Sequence, residues 1–161
     1  MSKRNDKAQS GAGRDVATNR QARFRYHLLE TWEAGLVLQG SEVKSVREGK
    51  VNLKDSYAAL RDGEVWLHNV HIAPYGPAAR EGHDPERPRK LLMKRKEIER
   101  LIGKTAERGL TLVPVRMYFS GPRAKVELAL ARGKEQRDKR EAMRERDQRR
   151  EIERALKERQ R

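Results

Sequence analysis

Large apolar side chains are concentrated in the middle of this 161-residue chain, and the two ends are nearly without them. The last 28 residues, 134–161, contain only five apolar residues of any size: Ala142, Met143, Ile152, Ala155 and Leu156. Ordering one residue costs about 1–2 kcal/mol of backbone entropy, which such a segment cannot offset by burial on its own. We therefore expect a flexible basic arm at residues 1–18, one folded domain at 19–133, and a basic tail at 134–161 that is disordered when free and helical when bound.

The chain is strongly basic, with 38 Lys and Arg against 24 Asp and Glu and a net charge of +14. Such a charge is the electrostatic footprint of a nucleic-acid-binding protein, because each neutralised phosphate releases condensed counterions. An alternative is that the tail charge only supports a solvated helix, since Glu145 and Arg149 have i to i+4 spacing, as do Glu153 and Lys157. Aromatic residues are 5% of the chain, which argues against a generic single-strand binder that stacks bases.

Several classes of protein and site are excluded by what the sequence lacks. No stretch approaches the roughly 18–20 apolar residues of a membrane span, and the N-terminus lacks the apolar core of a secretory signal, so we expect a cytoplasmic protein with no membrane contact. Cysteine is absent. Gly103-Lys104-Thr105 lacks the upstream glycine of a phosphate-binding loop, and His68 and His71 would point to opposite faces of a strand. The sequence predicts no cofactor, no metal site and no catalysis.

The first half of the middle segment predicts a strand followed by a short helix. Apolar and polar residues alternate from Tyr26 to Glu33, and the strand is expected to bend at Ala34-Gly35, where glycine relaxes the backbone. Ser41 is placed to cap a helix over residues 42–48 that buries Val43 and Val46 and stops at Gly49.

Two hairpins and a helix are predicted in the second half of the middle segment. Asp62-Gly63 suits a type I′ turn between two alternating runs, and residues 72–89 hold four of the six prolines and read as a loop. A helical stripe is expected to end near Gly109; its members are Leu91, Ile98, Leu101 and Ile102. The second hairpin turns at residues 120–122 and is expected to place four residues on one face, Val113, Val115, Met117 and Phe119, with Pro114 at an edge or a bulge.

Short hairpin-connected strands with two or three helices in roughly 110 residues favour a small closed or nearly closed barrel over a sandwich. The predicted fold class is mainly β with short helices: a small antiparallel OB-like β-barrel plus the basic C-terminal tail.

Specific motifs then follow one another in order between residues 19 and 140. They are Asn19-Arg20-Gln21-Ala22-Arg23, Glu33-Ala34-Gly35, Gly40-Ser41-Glu42-Val43-Lys44-Ser45, Val51-Asn52-Leu53-Lys54-Asp55-Ser56-Tyr57, His83-Asp84-Pro85, Arg87-Pro88-Arg89-Lys90-Leu91-Leu92, Gly109-Leu110-Thr111-Leu112-Val113-Pro114, Lys125-Val126-Glu127-Leu128-Ala129-Leu130-Ala131-Arg132-Gly133-Lys134 and Asp138-Lys139-Arg140. Their order resembles the SsrA-binding protein family, also called SmpB, the protein partner of transfer-messenger RNA.

The resemblance implies an adaptor whose barrel binds the transfer-RNA-like domain of transfer-messenger RNA and delivers it to stalled ribosomes for trans-translation and peptide tagging. Its tail would occupy the empty decoding site and the mRNA channel of the small subunit. Peptidyl transfer belongs to the ribosome, so the resemblance implies a positioning factor and not an enzyme, monomeric when free. The alternative in another class is a constitutive structural ribosomal protein that binds ribosomal RNA, and an RNA-modifying enzyme ranks third.

The resemblance also implies which residues bind RNA. Asn19, Glu33 and Leu92 correspond to positions that the family uses, and Arg20 and Lys90 are basic neighbours that we add. A carboxylate such as Glu33 can accept hydrogen bonds from base or ribose donors, which gives selectivity rather than attraction. The structural alternatives are that Glu33 stabilises a bulge and that Leu92 is core.

The expected ribosome-engaging residues lie in the tail: Arg137, Asp138, Lys139, Arg140, Met143, Ile152 and Leu156. Arg137 stands where many family members carry His or Tyr, and its guanidinium could stack on a base in their place. Gln148 stands where some members have Trp, so this position of the distal tail offers no aromatic side chain.

Overall fold

A computed structural model describes residues 15–76, 82–107, 109–134 and 136–160 of the chain, with the side chains of residues 136–138 outside the description. The expected arm at 1–18 lies outside it except for its last four residues, which form a strand. The strands, in chain order, are β1 Asp15–Thr18, β2 Tyr26–Leu36, β3 Val51–Asn52, β4 Tyr57–Arg61, β5 Glu64–His68, β6 His71–Ile72, β7 Arg89–Leu92, β8 Leu110–Ser120 and β9 Arg123–Gly133. The helices are α1 Ala22–Arg25, α2 Gly40–Arg47, α3 Arg95–Thr105 and α4 Gln136–Arg159.

Seven strands form one antiparallel sheet in the order β1-β8-β4-β5-β7-β2-β9, and β8 also pairs with β9. Each strand from β8 through β4, β5, β7, β2 and β9 therefore pairs with the next, and β9 pairs with β8 again, as in a closed barrel. The pairing between β4 and β8, however, consists of one residue pair, Ala58 with Leu112. The barrel is thus not clearly closed at that seam. β3 and β6 form a separate two-stranded sheet. The predicted mainly β barrel with short helices is confirmed.

The barrel interior is filled by the alternate residues of these strands, as half-buried strands require. Fully enclosed side chains include Val65 and Leu67 of β5, Met117 of β8 and Leu128 of β9, and α3 closes one side with Leu101. Both predicted hairpins are present. Asp62 and Gly63 have φ of 52° and 74°, the positive values that a type I′ turn needs at both central positions.

β2 does not bend where the sequence analysis expected. Its register shift lies between Leu28 and Glu30, so Leu29 is the extra residue and its side chain is 52% exposed. Gly35 has a different role, since it is where β2 leaves β9 and pairs with β7. A Cβ added at Gly35 would lie 3.3 Å from Leu92 Cβ, so the glycine permits a close approach of the two strands.

The start of α2 also differs from the prediction. Gln39, not Ser41, is the N-cap, and its backbone N–H donates to Glu42 Oε1 at 2.9 Å. Ser41 Oγ instead lies 2.9 Å from His83 Nδ1. The helix ends before Gly49, which has φ of 75°, as predicted. Val46 is buried as expected, and Val43 is only half-buried.

The predicted helix over residues 91–109 is too long at both ends. Leu91 belongs to β7, where it pairs with Val65 and Leu36, and α3 begins at Arg95. The helix ends at Thr105, and Gly109, with φ of 85°, leads into β8 instead. Leu91 happens to stand seven residues before Ile98, which imitates a helical stripe although the residue is paired in a sheet.

The four β8 residues predicted for one face divide between two clusters. Val113 and Val115 pack with Ala22, while Met117 and Phe119 contact the barrel core. The cause is a register shift between Pro114 and Arg116, because one extra residue reverses the face of all that follow. The bulge predicted from Pro114 is therefore confirmed, and the single face is wrong.

The tail is a 24-residue helix, α4, with exposed side chains along almost its whole length. A helical tail was expected for the bound state, and disorder of the free tail stays a prediction. Among the described residues, no helix is both long and apolar enough to cross a membrane.

Candidate nucleic-acid interface

Glu33 lies on the outward face of β2 and is held by groups from β8 and β9. The Tyr118 hydroxyl donates a hydrogen bond to Glu33 Oε2, and Lys125 Nζ lies 3.2 Å from Glu33 Oε1. The hydrogen bond from Tyr118 is the main reason that the pKa of Glu33 lies below its ordinary value. Glu33 is thus an oriented carboxylate with a side chain 54% exposed. The alternative that it stabilises a bulge is not supported, because the register shift of β2 lies between Leu28 and Glu30 and not beside Glu33.

An ionic network supports this carboxylate from the neighbouring strands. Arg116 Nε donates to Glu127 Oε2 at 2.5 Å, and Arg116 Nη1 donates to Asp15 Oδ1 at 2.7 Å. The hydrogen bond to Glu127 is the largest reason that the pKa of Arg116 is raised. The guanidinium also lies 4.4 Å from the centre of the Tyr118 ring. Burial, followed by the hydrogen bond to Glu33, raises the pKa of Tyr118, so its hydroxyl stays a donor.

Asn19 is nearly buried, and its hydrogen bonds are made within the protein. Asn19 is only 9% exposed, and its side-chain Nδ2 donates a hydrogen bond to the Pro114 carbonyl oxygen at 3.0 Å. Its backbone N–H donates to the Val115 carbonyl at 2.7 Å. Asn19 therefore holds the β8 bulge in place, while the neighbouring Arg20 is exposed.

Leu92 and Lys90 lie on the outward side of β7. Leu92 is 55% exposed, so the alternative that it is core is wrong. Lys90 Nζ lies 2.8 Å from Glu64 Oε1, and both side chains are about two-fifths exposed. Gly35 of β2 is the register partner of Leu92 and of Lys125, which brings Leu92 close to the Glu33 and Lys125 pair.

The structure brings together only part of the predicted RNA-binding set. Glu33, Lys90 and Leu92 share one outward surface of β2 and β7. Asn19 and Arg20 follow β1, which is separated from β2 by β8 and β9, a distance of about 14 Å at the usual strand spacing.

The tail residues lie on different sides of α4. Ile152 and Leu156 are one turn apart on one face, whereas Met143, nine residues before Ile152, lies on the opposite face at 3.6 residues per turn. All three are more than half exposed. Lys139 is half-buried and Arg140 exposed, and the side chains of Arg137 and Asp138 lie outside the described residues.

A buried ion cluster was missed by the sequence analysis. Glu42 and Arg89 have fully buried side chains, with Arg89 Nε 2.6 Å from Glu42 Oε2, and Arg87 donates to the other oxygen. Burial alone would raise the pKa of Glu42, but hydrogen bonds from Arg87, Gln39 and Arg89 outweigh it, and the pKa is lowered. No local sequence pattern signals this cluster, because Glu42 and Arg89 are 47 positions apart in the chain.

Metal-ligand groups of three or more His, Cys, Asp or Glu are not found among the described ranges. His68 instead stacks on Tyr57, with ring centres 5.2 Å apart, and His83 Nε2 lies 2.9 Å from the Ile72 carbonyl oxygen.

Comparison with known proteins gives a consistent result across nearly the whole chain. The profile of the SmpB protein family matches residues 16–158. An SsrA-binding protein of Sulfurihydrogenibium sp. (strain YO3AOP1) is 60% identical over 88% of this chain and 93% of its own. An SsrA-binding protein of Geobacillus thermodenitrificans (strain NG80-2) is 56% identical over 93% of this chain and 97% of its own.

A solved structure supports the same relationship. One chain of the structure described as "tmRNA-SmpB: a journey to the center of the bacterial ribosome" superposes with a TM-score of 0.65 at 47% identity. The match covers 84% of this chain and 96% of that one.

Proposed function

The chain belongs to the SmpB protein family, and from that membership we propose that it is an RNA-binding adaptor for transfer-messenger RNA. It binds the transfer-RNA-like domain of that RNA and delivers it to stalled ribosomes for trans-translation and peptide tagging. The observation that carries this is the family match over residues 16–158, which includes both the barrel and most of the tail.

The electrostatics of the chain support the same conclusion. Its net charge of +14 attracts RNA, while the outward surface of β2 and β7 mixes Leu92 with the carboxylate of Glu33 and the amine of Lys90. Cations give attraction, and an oriented carboxylate can select base or ribose donors. We place RNA recognition on this surface.

The two parts of the chain have different tasks in this proposal. Residues 19–133 bind the RNA, and residues 134–161 enter the decoding site and mRNA channel of the small ribosomal subunit. The protein works in the cytoplasm as a positioning factor, because the ribosome itself transfers the peptide, and it needs neither a metal nor a cofactor.

The proposed partner is tested by purifying the full chain from cells and sequencing the RNA bound to it. One abundant transfer-messenger RNA is expected, with the protein substoichiometric on ribosomes. A fixed ratio of protein to ribosome with no enrichment of that RNA would contradict the proposal and favour a structural ribosomal protein.

The proposed surface is tested by Glu33→Ala. Affinity for transfer-messenger RNA should fall, and affinity for an unrelated RNA of equal length should stay nearly unchanged, because the carboxylate adds no attraction. Glu86→Ala, which removes the same charge from a side chain 69% exposed beside His71, is the matched control. An equal loss for both RNAs in a folded Glu33→Ala protein would contradict the assignment.

A further inference from the structure

The one-turn helix α1 is held in a fixed position on the barrel. Ala22 is 2% exposed and belongs to the same buried cluster as Val113 of β8. Arg25 Nη1 lies 2.5 Å from Asp55 Oδ1, and β2 begins at the residue that follows Arg25. The core, the ion pair and the strand together fix α1, so the barrel also sets the position of its aromatic residue, Phe24.

The tail of the chain starts beside α1. The backbone N–H of Lys134 donates to the Arg25 carbonyl at 2.9 Å, and Lys134 Nζ donates to the Arg23 carbonyl at 2.9 Å. Helix α4 begins two residues after Lys134. These hydrogen bonds are the first attachment of the tail to α1, and a single attachment would leave the direction of the helix undetermined.

A second attachment lies near the end of the third turn of α4. The guanidinium carbon of Arg146 lies 5.9 Å from the centre of the Phe24 ring, within the range of a cation–π contact. Lys139 and Ala142 are half-buried, unlike the other described side chains of α4. At 3.6 residues per turn, Lys139, Ala142 and Arg146 fall within about 60° of one another around the helix. One face of α4 therefore rests on α1.

The contact between the two helices ends at Arg146. Arg150 and Glu153 continue the same face of α4, and both are exposed, as is every residue from 147 to 160. The helix thus projects away from the barrel beyond Arg146. The block Asp138-Lys139-Arg140 lies between the two attachments, which are at Lys134 and Arg146.

The strength of the second attachment suits a segment that must be both oriented and released. A cation–π contact at an exposed site changes an equilibrium by about two- to fivefold. Such a contact forms and breaks reversibly, and it biases the direction of a helix that packs against little else. A segment ordered in advance loses less conformational freedom when it binds a partner.

We propose that Phe24 is a positioning residue for the tail. Docking of α4 on α1 through Phe24 and Arg146 fixes the direction in which the Asp138-Lys139-Arg140 block leaves the barrel. The inference rests on the proposed function, in which the tail engages the small ribosomal subunit, and adds to it a contact within the chain. Loss of this contact weakens ribosome engagement and leaves the binding of transfer-messenger RNA unchanged.

The first test measures amide hydrogen exchange in the full chain without RNA. Residues 142–146 should be more protected than residues 147–160. Phe24→Leu keeps an apolar side chain without the ring, and Arg146→Gln removes the cation. Each should lower the protection factors of residues 142–146 by about two- to fivefold, and the double variant should lower them no further.

Arg150→Gln is the matched control for this measurement, because it removes the same charge one turn further along the same face. It should leave the protection of residues 142–146 unchanged. Equal protection of residues 142–146 in wild type and in both single variants would overturn the proposal. Additive losses in the double variant would overturn it as well, since they would show that Phe24 and Arg146 act independently.

The second test compares tagging with RNA binding. Phe24→Leu should lower the initial rate of peptide tagging on ribosomes stalled without a codon in the decoding site by about two- to fivefold, at protein concentrations below saturation. Its affinity for transfer-messenger RNA should equal that of wild type. Phe24→Tyr keeps the ring and should tag at the wild-type rate, a rescue that a loss of general stability would not produce. A fall in RNA affinity with Phe24→Leu would overturn the proposal, because Phe24 would then act through the RNA.

The positioning role and the proposed function fail in different ways. If wild-type protein selects transfer-messenger RNA and Phe24→Leu tags at the wild-type rate, the positioning role is wrong and the proposed function stands. If wild-type protein does not select this RNA, the proposed function fails, and the exchange experiment still decides whether α4 docks on α1. Arg146 is exposed, so Arg146→Gln keeps the exchange test decisive if Phe24→Leu lowers the thermal midpoint of unfolding.

Discussion

At the scale of single residues, the charged groups of this protein divide into those that hold the fold and those that face solvent. Glu42 is the centre of the first group. It joins the start of α2 to Arg87 and Arg89, and Arg89 Nη1 donates to the Val70 carbonyl at 2.6 Å. A buried ion pair contributes little over an apolar pair, but a single partner left behind is costly.

Replacing Glu42 with Gln should therefore lower the free energy of unfolding by about 3–5 kcal/mol, because the Arg89 charge stays buried without its carboxylate. Urea denaturation at pH 7 measures this. Glu99→Gln is the control, since the Arg95 to Glu99 pair is 93% and 65% exposed, and it should change the free energy by less than about 0.5 kcal/mol.

The difference between wild type and Glu42→Gln should depend on pH in one direction. Glu42 has a lowered pKa when folded, so its contribution is present above the ordinary value of 4.5 and is lost as the pH falls through the native pKa. A difference that stays constant well below pH 4.5, or a variant as stable as wild type at pH 7, would contradict this role.

Tyr118 acts on the exposed carboxylate of Glu33. In Tyr118→Phe, the pKa of Glu33 should rise, because the lost hydrogen bond is the largest contribution that lowers it. Carbon-13 NMR titration of the glutamate carboxylates measures the shift. Tyr57→Phe, on the other side of the barrel circuit, should leave the pKa of Glu33 unchanged. An unchanged pKa in Tyr118→Phe would mean that Lys125 and Arg116, and not Tyr118, lower the pKa of Glu33.

At the scale of elements, a glycine in a turn and a glycine in a helix should respond in opposite ways to replacement by alanine. Gly63 has φ of 74°, so Gly63→Ala should destabilise the protein by about 1–2 kcal/mol. Gly103 is exposed inside α3 with nothing within 4 Å of an added Cβ, so Gly103→Ala should stabilise by about 0.5–1 kcal/mol. Denaturant midpoints of the two variants should move in opposite directions. Equal directions would contradict the backbone argument.

Helix α4 should exchange its amide hydrogens faster than α3 in the free protein. Its side chains are exposed beyond Ala142, and Arg146 over the Phe24 ring at 5.9 Å is the cation–π contact that links it to α1. α3 instead buries Leu101 completely. Hydrogen exchange across residues 147–160, compared with residues 98–105, measures the difference. Slow exchange in the tail of the monomer would contradict the expected disorder of the free tail.

Elements defined by local chemistry were the ones that the sequence predicted well. The turn at Asp62-Gly63 and the stop at Gly49 both follow from backbone conformations that few residues adopt. Leu91 and Val115 were misplaced because strand pairing and one inserted residue, neither of which is local, decide their positions.

The candidate interface likewise contains residues whose position the sequence predicted and residues whose position depends on distant partners. Glu33 and Leu92 are exposed, as binding residues must be, but Asn19 is nearly buried because it bonds to Pro114, 95 positions away in the chain. The Glu42 and Arg89 pair joins residues 47 apart, and only a known tertiary structure reveals such a partner.

At the scale of the whole molecule, the barrel and the tail should be separable in function. The buried core residues lie between Ala22 and Ala131, Val16 and Ala17 of β1 pack against them, and the described tail contributes no residue to either core cluster. Lys134, the first residue of the expected tail, is hydrogen-bonded to α1, since its backbone N–H donates to the Arg25 carbonyl and its Nζ donates to the Arg23 carbonyl, so the separable tail begins one residue later than expected. A stop codon after Lys134 therefore preserves every one of these contacts.

That truncation should fold, bind transfer-messenger RNA, and fail to support peptide tagging on ribosomes stalled without a codon in the decoding site. Replacing Asp138, Lys139 and Arg140 together with Ala should reproduce most of the tagging loss, although it removes only one net positive charge from +14. The truncation removes three net charges, so a loss that followed charge alone would be much smaller in the triple variant. RNA affinity and tagged-peptide yield are measured on the same preparations. Wild-type tagging by the truncated protein would exclude the tail from the mechanism, and a parallel collapse of RNA affinity would show that barrel and tail act as one unit.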